Sequence, residues 1–139
     1  MTERVLKPRR IIDADKTYNA LIGLKMAEWR EGFARMEIEI QEHHMNRQGI
    51  VHGGILATMI DSAAGYAGAF STELPFGLPR ATLSMSVNYI ESAAEGRLIC
   101  TGRRTGGGKR TFTATAEVHD DKGALLATGQ TVYRLLNFG

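Results

Sequence analysis

Val51-His52-Gly53-Gly54-Ile55-Leu56-Ala57-Thr58-Met59-Ile60-Asp61-Ser62-Ala63-Ala64-Gly65-Tyr66-Ala67 decides how the rest of this chain is read. Leu56, Met59, Ile60, Ala63, Ala67 and Phe70 recur at helical spacing, which predicts a helix over 54–70 with that stripe in the core. Thr58, Asp61, Ser62, Gly65, Gly68 and Ala69 fall on the other side, all small except the acid. Small residues let another backbone or a ligand come close, so this face predicts tight packing, a helix from a second copy, or both. Asp61 is the one charge in the stretch. A half-buried carboxylate loses hydration that a helix cannot cheaply replace, so it needs a partner or a task. The Gly53-Gly54 pair opens the helix and leaves backbone N–H groups free for an anionic oxygen. An isolated acid and a bare helix N-terminus are the two halves of an acyl-transfer site.

Outward from this helix the pattern changes period. Upstream, residues 35–40 alternate polar and apolar, a half-buried strand, while 25–33 fit helix or strand equally. Residues 15–24 suggest a short helix, with Asp15 as cap, Tyr18, Leu21 and Ile22 inward and Gly23 near its end. Residues 43–51 read as a polar loop. Downstream, residues 81–91 place Leu83, Met85, Val87 and Tyr89 on one face and Thr82, Ser84, Ser86 and Asn88 on the other. Strands over 98–105, 110–119 and 124–136 follow, joined at Gly106-Gly107-Gly108 and Asp120-Asp121-Lys122-Gly123, which predicts an antiparallel meander. One long helix against one antiparallel sheet is an α+β layout.

The bulk numbers exclude several classes. At 139 residues the chain is read as one domain over 1–139, with a loose basic arm at 1–14. A net charge of +2 gives no argument for nucleic acid. One cysteine, Cys100, excludes an internal disulfide and fits a reducing compartment. No apolar run reaches the length of a membrane span, and the basic residues 1–10 lead into Asp13 and Asp15 with no apolar h-region or cleavage site, so a cytoplasmic location is expected. His43, His44 and His119 lack metal-ligand spacing, so no metal is expected.

Asn46-Arg47-Gln48-Gly49-Ile50-Val51-His52-Gly53-Gly54, followed after six residues by Asp61-Ser62-Ala63-Ala64-Gly65, resembles the motif of the phenylacetate-pathway (PaaI-like) type of acyl-CoA thioesterase. Val87-Asn88-Tyr89 and the closing Gly123 to Gly129 segment fit the same family, and the similarity runs from about residue 21 to 132. The resemblance implies the hot-dog fold, a curved antiparallel sheet wrapped around a central helix. It implies that the Gly53 amide polarises the thioester carbonyl and that Asp61 acts as general base or nucleophile. CoA is then part of the substrate, and no cofactor is implied.

Geometry adds a constraint. Gly54 and Asp61 are seven residues apart, about 10 Å along a helix axis. A reacting carbon must lie about 3 Å from both attacker and oxyanion donor. The two groups are therefore expected from different subunits, with two helices antiparallel about a two-fold axis, so a homodimer is required; the resemblance implies a homotetramer. Asn46 would fix the water or the thioester, or simply make a turn. Thr82 aligns with a hydroxyl that some family members use to hold the water, although a strand threonine needs no such role. His52 would cap the helix or orient the loop. Gly54 and Gly65 would border the substrate. Arg103, Arg104, Lys109 and Arg110 bracket the triple glycine as a clamp for CoA phosphates, or as a solvated hairpin. Two other readings stand beside hydrolysis: an enoyl-CoA hydratase or dehydratase using His52 with Asp61, and a non-catalytic acyl-CoA-binding protein.

Overall fold

A computed structural model describes residues 10–136. Among them the order is a short helix α1 (Tyr18–Leu21), strands β1 (Lys25–Arg30) and β2 (Phe33–Glu39), the long helix α2 (Gly53–Gly68), then strands β3 (Arg80–Tyr89), β4 (Arg97–Gly107), β5 (Thr111–Asp120) and β6 (Leu125–Leu135). The strands form one antiparallel sheet in the order β1-β2-β4-β5-β6-β3. β4, β5 and β6 are the expected meander. The sheet carries α2 on one face, which is the hot-dog arrangement. None of the helices among the described residues is long and apolar enough to cross a membrane.

Side-chain size explains how the helix seats. Ala34, Gly102, Ala116 and Gly129 pair across four neighbouring strands and make one row of small residues. A Cβ at Gly102 would stand 2.4 Å from the Ala63 carbonyl oxygen, and one at Gly129 would stand 2.5 Å from Ile60 Cγ2. The helix backbone lies in that shallow groove. Larger residues flank it: Met36, Cys100 and Val118 in one direction, Phe112 and Tyr133 in the other. Leu56, Met59, Ile60, Ala63 and Ala67 are buried as the helical stripe predicts.

Several expectations are corrected. Thr17, not Asp15, caps α1, and its Oγ1 accepts the Ala20 N–H at 3.3 Å. Tyr18 and Leu21 are exposed, and only Ile22 turns inward. With one turn of helix, α1 has no buried face; instead it lies along α2, where Tyr18 Oη pairs with Thr58 Oγ1 at 3.3 Å and Asn19 Nδ2 donates to Ser62 Oγ at 3.1 Å. Residues 25–33 hold strand β1. The loop over 43–51 is preceded and entered by a 3-10 turn at Glu42–His44, whose His44 is buried. Gly106 and Gly107 belong to β4, so the β4–β5 turn begins at Gly108. The small-residue face of α2 divides: Gly65, Gly68 and Ala69 are buried within the chain, while Thr58, Asp61 and Ser62 stay half-exposed. Of the expected N-terminal arm, residues 1–9 lie outside the described residues.

Candidate active site

Asp61 is held by the sheet that its own helix crosses. Thr82 Oγ1 donates to Asp61 Oδ1 at 2.7 Å. The Tyr133 hydroxyl lies 2.6 Å from the Asp61 carbonyl oxygen and 3.1 Å from Oδ1, so its single proton is shared between the two acceptors. Both hydroxyls converge on one carboxylate oxygen. Among the described residues no protein donor reaches Oδ2.

A β-bulge brings Thr82 there. Simple alternation sets Thr82 opposite Met85, Val87 and Tyr89. The register shift between Thr82 and Ser84 adds one residue, so that Thr82 faces Tyr133 while Met85 and Val87 pair with Thr131 and Gly129 on the same inner face. Thr82 therefore orients the carboxylate directly.

Tyr133 and Arg80 were not singled out in the sequence. Burial raises the Tyr133 pKa and the nearby Asp61 charge adds to the rise, so the phenol stays protonated as a donor. Phe112 stacks on its ring at 4.9 Å. Burial lowers the Arg80 pKa, while Tyr66, Tyr133 and Asp61 act in the opposite direction. The guanidinium lies 4.5 Å over the Tyr66 ring and donates to the Phe76 and Leu78 carbonyls at 3.3 and 3.1 Å. It brings positive charge to the acid and pins the 70s loop beside it. The only sequence signal for Tyr133 was its polar tip on an otherwise core-facing position of β6.

The helix N-terminus is sorted by two contacts. His52 is the N-cap of α2, and its Nδ1 accepts the Gly54 N–H at 2.8 Å. The Tyr89 hydroxyl donates to the Gly53 carbonyl at 2.8 Å, with its ring 3.3 Å from where a Gly53 Cβ would be. Gly54's amide is thus occupied, and Gly53's N–H has no protein acceptor among the described residues. Asn46 Oδ1 accepts from the Gln48 and Ile50 amides at 3.0 and 3.4 Å, so here it shapes its own loop.

Asp61 and Gly53 do not meet in one chain. A cleft of about 380 Å³ around Asp61 is lined by Ser62, Tyr66, Arg80, Thr82 and Tyr133 among others, and does not reach Gly53. Gly65 is buried under the Arg80 and Tyr133 side chains, within 2.9 and 3.3 Å of its Cβ position, instead of bordering open space. The four basic residues do not form one patch. Strand alternation sends Arg103 and Arg104 to opposite faces. Arg103 lies 4.9 Å over Phe33, whereas Arg104 reaches the Gly68 carbonyl at 3.5 Å and the negative end of α2. Lys109 and Arg110 are exposed in the turn. Among the described residues no three His, Cys, Asp or Glu side chains converge as metal ligands.

The family model of the thioesterase superfamily matches residues 48–127, which span the His-Gly-Gly turn, the acid and the meander. The chain belongs to the thioesterase superfamily. Its chemistry is thioester hydrolysis. A curated relative, the medium/long-chain acyl-CoA thioesterase YigI of Escherichia coli, is 25% identical over 129 residues, covering 84% of this chain and 83% of the relative. The phenylacetic acid degradation protein PaaI of Thermus thermophilus superposes with a TM-score of 0.74 at 27% identity, over 86% of this chain and 98% of that one. A conserved protein of Pseudomonas aeruginosa gives 0.76 at 31% identity, over 93% of this chain and all (100%) of its own. These neighbours support the PaaI-like type.

Proposed function

We propose that this thioesterase hydrolyses acyl-CoA to the free acid and CoA at a site built by two copies of the chain. Asp61 of one subunit acts through Oδ2, as general base on a water or as nucleophile on the acyl carbon. The Gly53 N–H of the other subunit, at the positive end of α2, polarises the thioester oxygen. The observation that carries the reading is the division of labour along α2. The acid and the Gly53 amide sit eight residues apart, about 12 Å along the axis, too far for one carbonyl group to touch both. His52 contributes by taking the Gly54 amide and leaving Gly53's.

The surface beside the site supports a dimer. β3 is an edge strand of ten residues, and Leu83, Met85 and Tyr89 on it are 56%, 39% and 56% exposed. A long apolar edge invites pairing with a second chain. Association of dimers into a tetramer remains the expectation of the family resemblance. Of the basic residues, Lys109 and Arg110 are the ones we assign to CoA phosphates. The Arg110 carbonyl accepts the Leu135 N–H at 2.7 Å, which sets this turn at the end of the sheet where Leu136 lines the Asp61 cleft. The reaction so written needs water and the chain's own groups. In this reading His52 Nδ1 serves as the helix cap, accepting the Gly54 N–H at 2.8 Å.

A thiol-release assay on saturated and 2-enoyl-CoA substrates tests the proposal. CoA release from the saturated thioester is expected. Hydration of the enoyl group without CoA release, or binding without turnover, would replace it with one of the two rival functions.

A further inference from the structure

Of the four histidines, His44 is the one enclosed by the protein, with 1% of its surface exposed, and the chemistry above gives it no task. Both ring nitrogens are engaged. Nδ1 accepts the Gln41 N–H at 2.8 Å, and Nε2 lies 2.7 Å from the Ile22 carbonyl oxygen. An N–H that faces Nδ1 requires a lone pair there, so the ring carries its proton on Nε2 and donates it to Ile22. The two contacts differ in reach. The first folds the ring back over the start of its own 3-10 turn, Glu42–His44. The second anchors that turn to Ile22, the residue that ends α1.

From this turn the backbone leads to the amide that the reaction needs. The His44 carbonyl accepts the His52 N–H at 2.8 Å, and Met45 bridges to Val51 beside it. The Val51 N–H is held by the Ala93 carbonyl, also at 2.8 Å. His52 is thus fixed at its N–H by His44 and at its ring by the Gly54 N–H. The Gly53 N–H belongs to the peptide that follows His52, so these two contacts set the direction in which it points.

We infer that His44 is a positioning residue for the reaction: its ring holds the 42–44 turn so that its carbonyl, through His52, aims the Gly53 N–H at the thioester oxygen. The inference rests on the role proposed for Gly53 and deepens it. His44 itself touches no substrate. Negative charge on the thioester oxygen develops in the transition state, so a tilted amide lowers kcat and leaves KM nearly alone. Losing an oxyanion donor outright costs about 10²–10³-fold in kcat, and displacing one should cost roughly tenfold to a hundredfold.

Two half-replacements separate positioning from packing. His44→Asn offers an acceptor at the δ position, opposite the Gln41 N–H, and falls short of Ile22. His44→Gln offers a donor at the ε position, opposite the Ile22 carbonyl, and leaves the Gln41 N–H unpaired. Each loses one buried hydrogen bond, so both should lower Tm. On octanoyl-CoA, His44→Gln should lower kcat roughly tenfold to a hundredfold with KM little changed, and His44→Asn should recover kcat to within a few-fold of wild type. Exchange of the His52 amide, followed by NMR on the intact protein, reads the contact itself: faster in His44→Gln, protected in His44→Asn. Equal losses of kcat in the two variants, or a loss in His44→Asn alone, would make His44 a packing residue and overturn the inference. A protected His52 amide and unchanged kcat in His44→Gln would overturn it too, and leave the Gly53 role standing. Fast exchange in His44→Gln with kcat unchanged would instead overturn the role given to the Gly53 amide, the reading on which the inference rests.

Discussion

Thr82 and Tyr133 both donate to Asp61 Oδ1, which fixes the side-chain rotamer. Asp61→Asn is nearly isosteric and should keep the fold, yet an amide can neither accept a proton from water nor attack. Its kcat should fall by roughly 10²–10⁴-fold, measured by CoA release. Wild-type kcat/KM in this variant would remove Asp61 from the mechanism. Tyr133→Phe keeps the ring stack on Phe112 and removes only the shared proton. A hydrogen bond to a charged acceptor contributes about 1.5–3 kcal/mol, so kcat should drop roughly tenfold to a hundredfold with little change in KM. A change confined to thermal stability would make Tyr133 a packing residue only. Cys100, by contrast, is buried with its thiol pKa pushed up by desolvation, so it is unsuited to nucleophilic chemistry.

At the scale of elements, the decisive contact is α2 against the small-residue row of the sheet. Gly102 is where the two backbones come closest, and a methyl group there would press on the Ala63 carbonyl and the Ala64 nitrogen, at 2.4 and 2.8 Å. Neither is the flexible end of a side chain. Gly102→Ala should therefore cost about 1–3 kcal/mol, as overpacking in a filled core does. That corresponds to a fall in Tm of roughly 4–12 °C by calorimetry. An unchanged Tm would mean that the helix can lift from the sheet without loss. The same seating sets the height of Asp61 over β3 and β6, so the variant should lose activity along with stability.

For the molecule as a whole, the site proposed above needs a second copy of the chain. Leu83 sits at the bulge of the edge strand and is largely exposed, so Leu83→Glu should leave the fold of one chain intact while placing charge in the pairing surface. Light scattering should then show monomer, and hydrolysis should vanish with the dimer. A monomer that retains activity at the assay concentration would overturn the shared site. Removing Lys109 and Arg110 together should raise KM for acyl-CoA a few-fold with kcat nearly constant, because contacts remote from the reacting carbon are felt alike in ground and transition states. The penalty should shrink with added salt and be absent on a short thioester without the nucleotide. Equal losses on both substrates would make this turn structural.

The elements legible in the sequence are those whose signal is local. Helical spacing from Leu56 to Ala67 and period-two alternation through Phe112, Ala114, Ala116 and Val118 each bury one face, and both faces are buried in the structure. The glycine pair at the helix start and the solitary charge of Asp61 stood out because they break the chemistry of their surroundings. Features that depend on register and on distance along the chain become visible only in the folded molecule. Thr82 belongs to the wrong face of its strand until a bulge moves it, and Tyr133 lies 72 residues from the acid it holds. The row Ala34, Gly102, Ala116, Gly129 is four unrelated small residues until strand pairing aligns them. Gly65 and Gly68 carried the same small-residue signal as Thr58, but which of them a ring would fill depended on where β5 and β6 placed Phe112 and Tyr133. Periodicity reports what a segment buries; it carries no information about which distant side chain arrives to meet it.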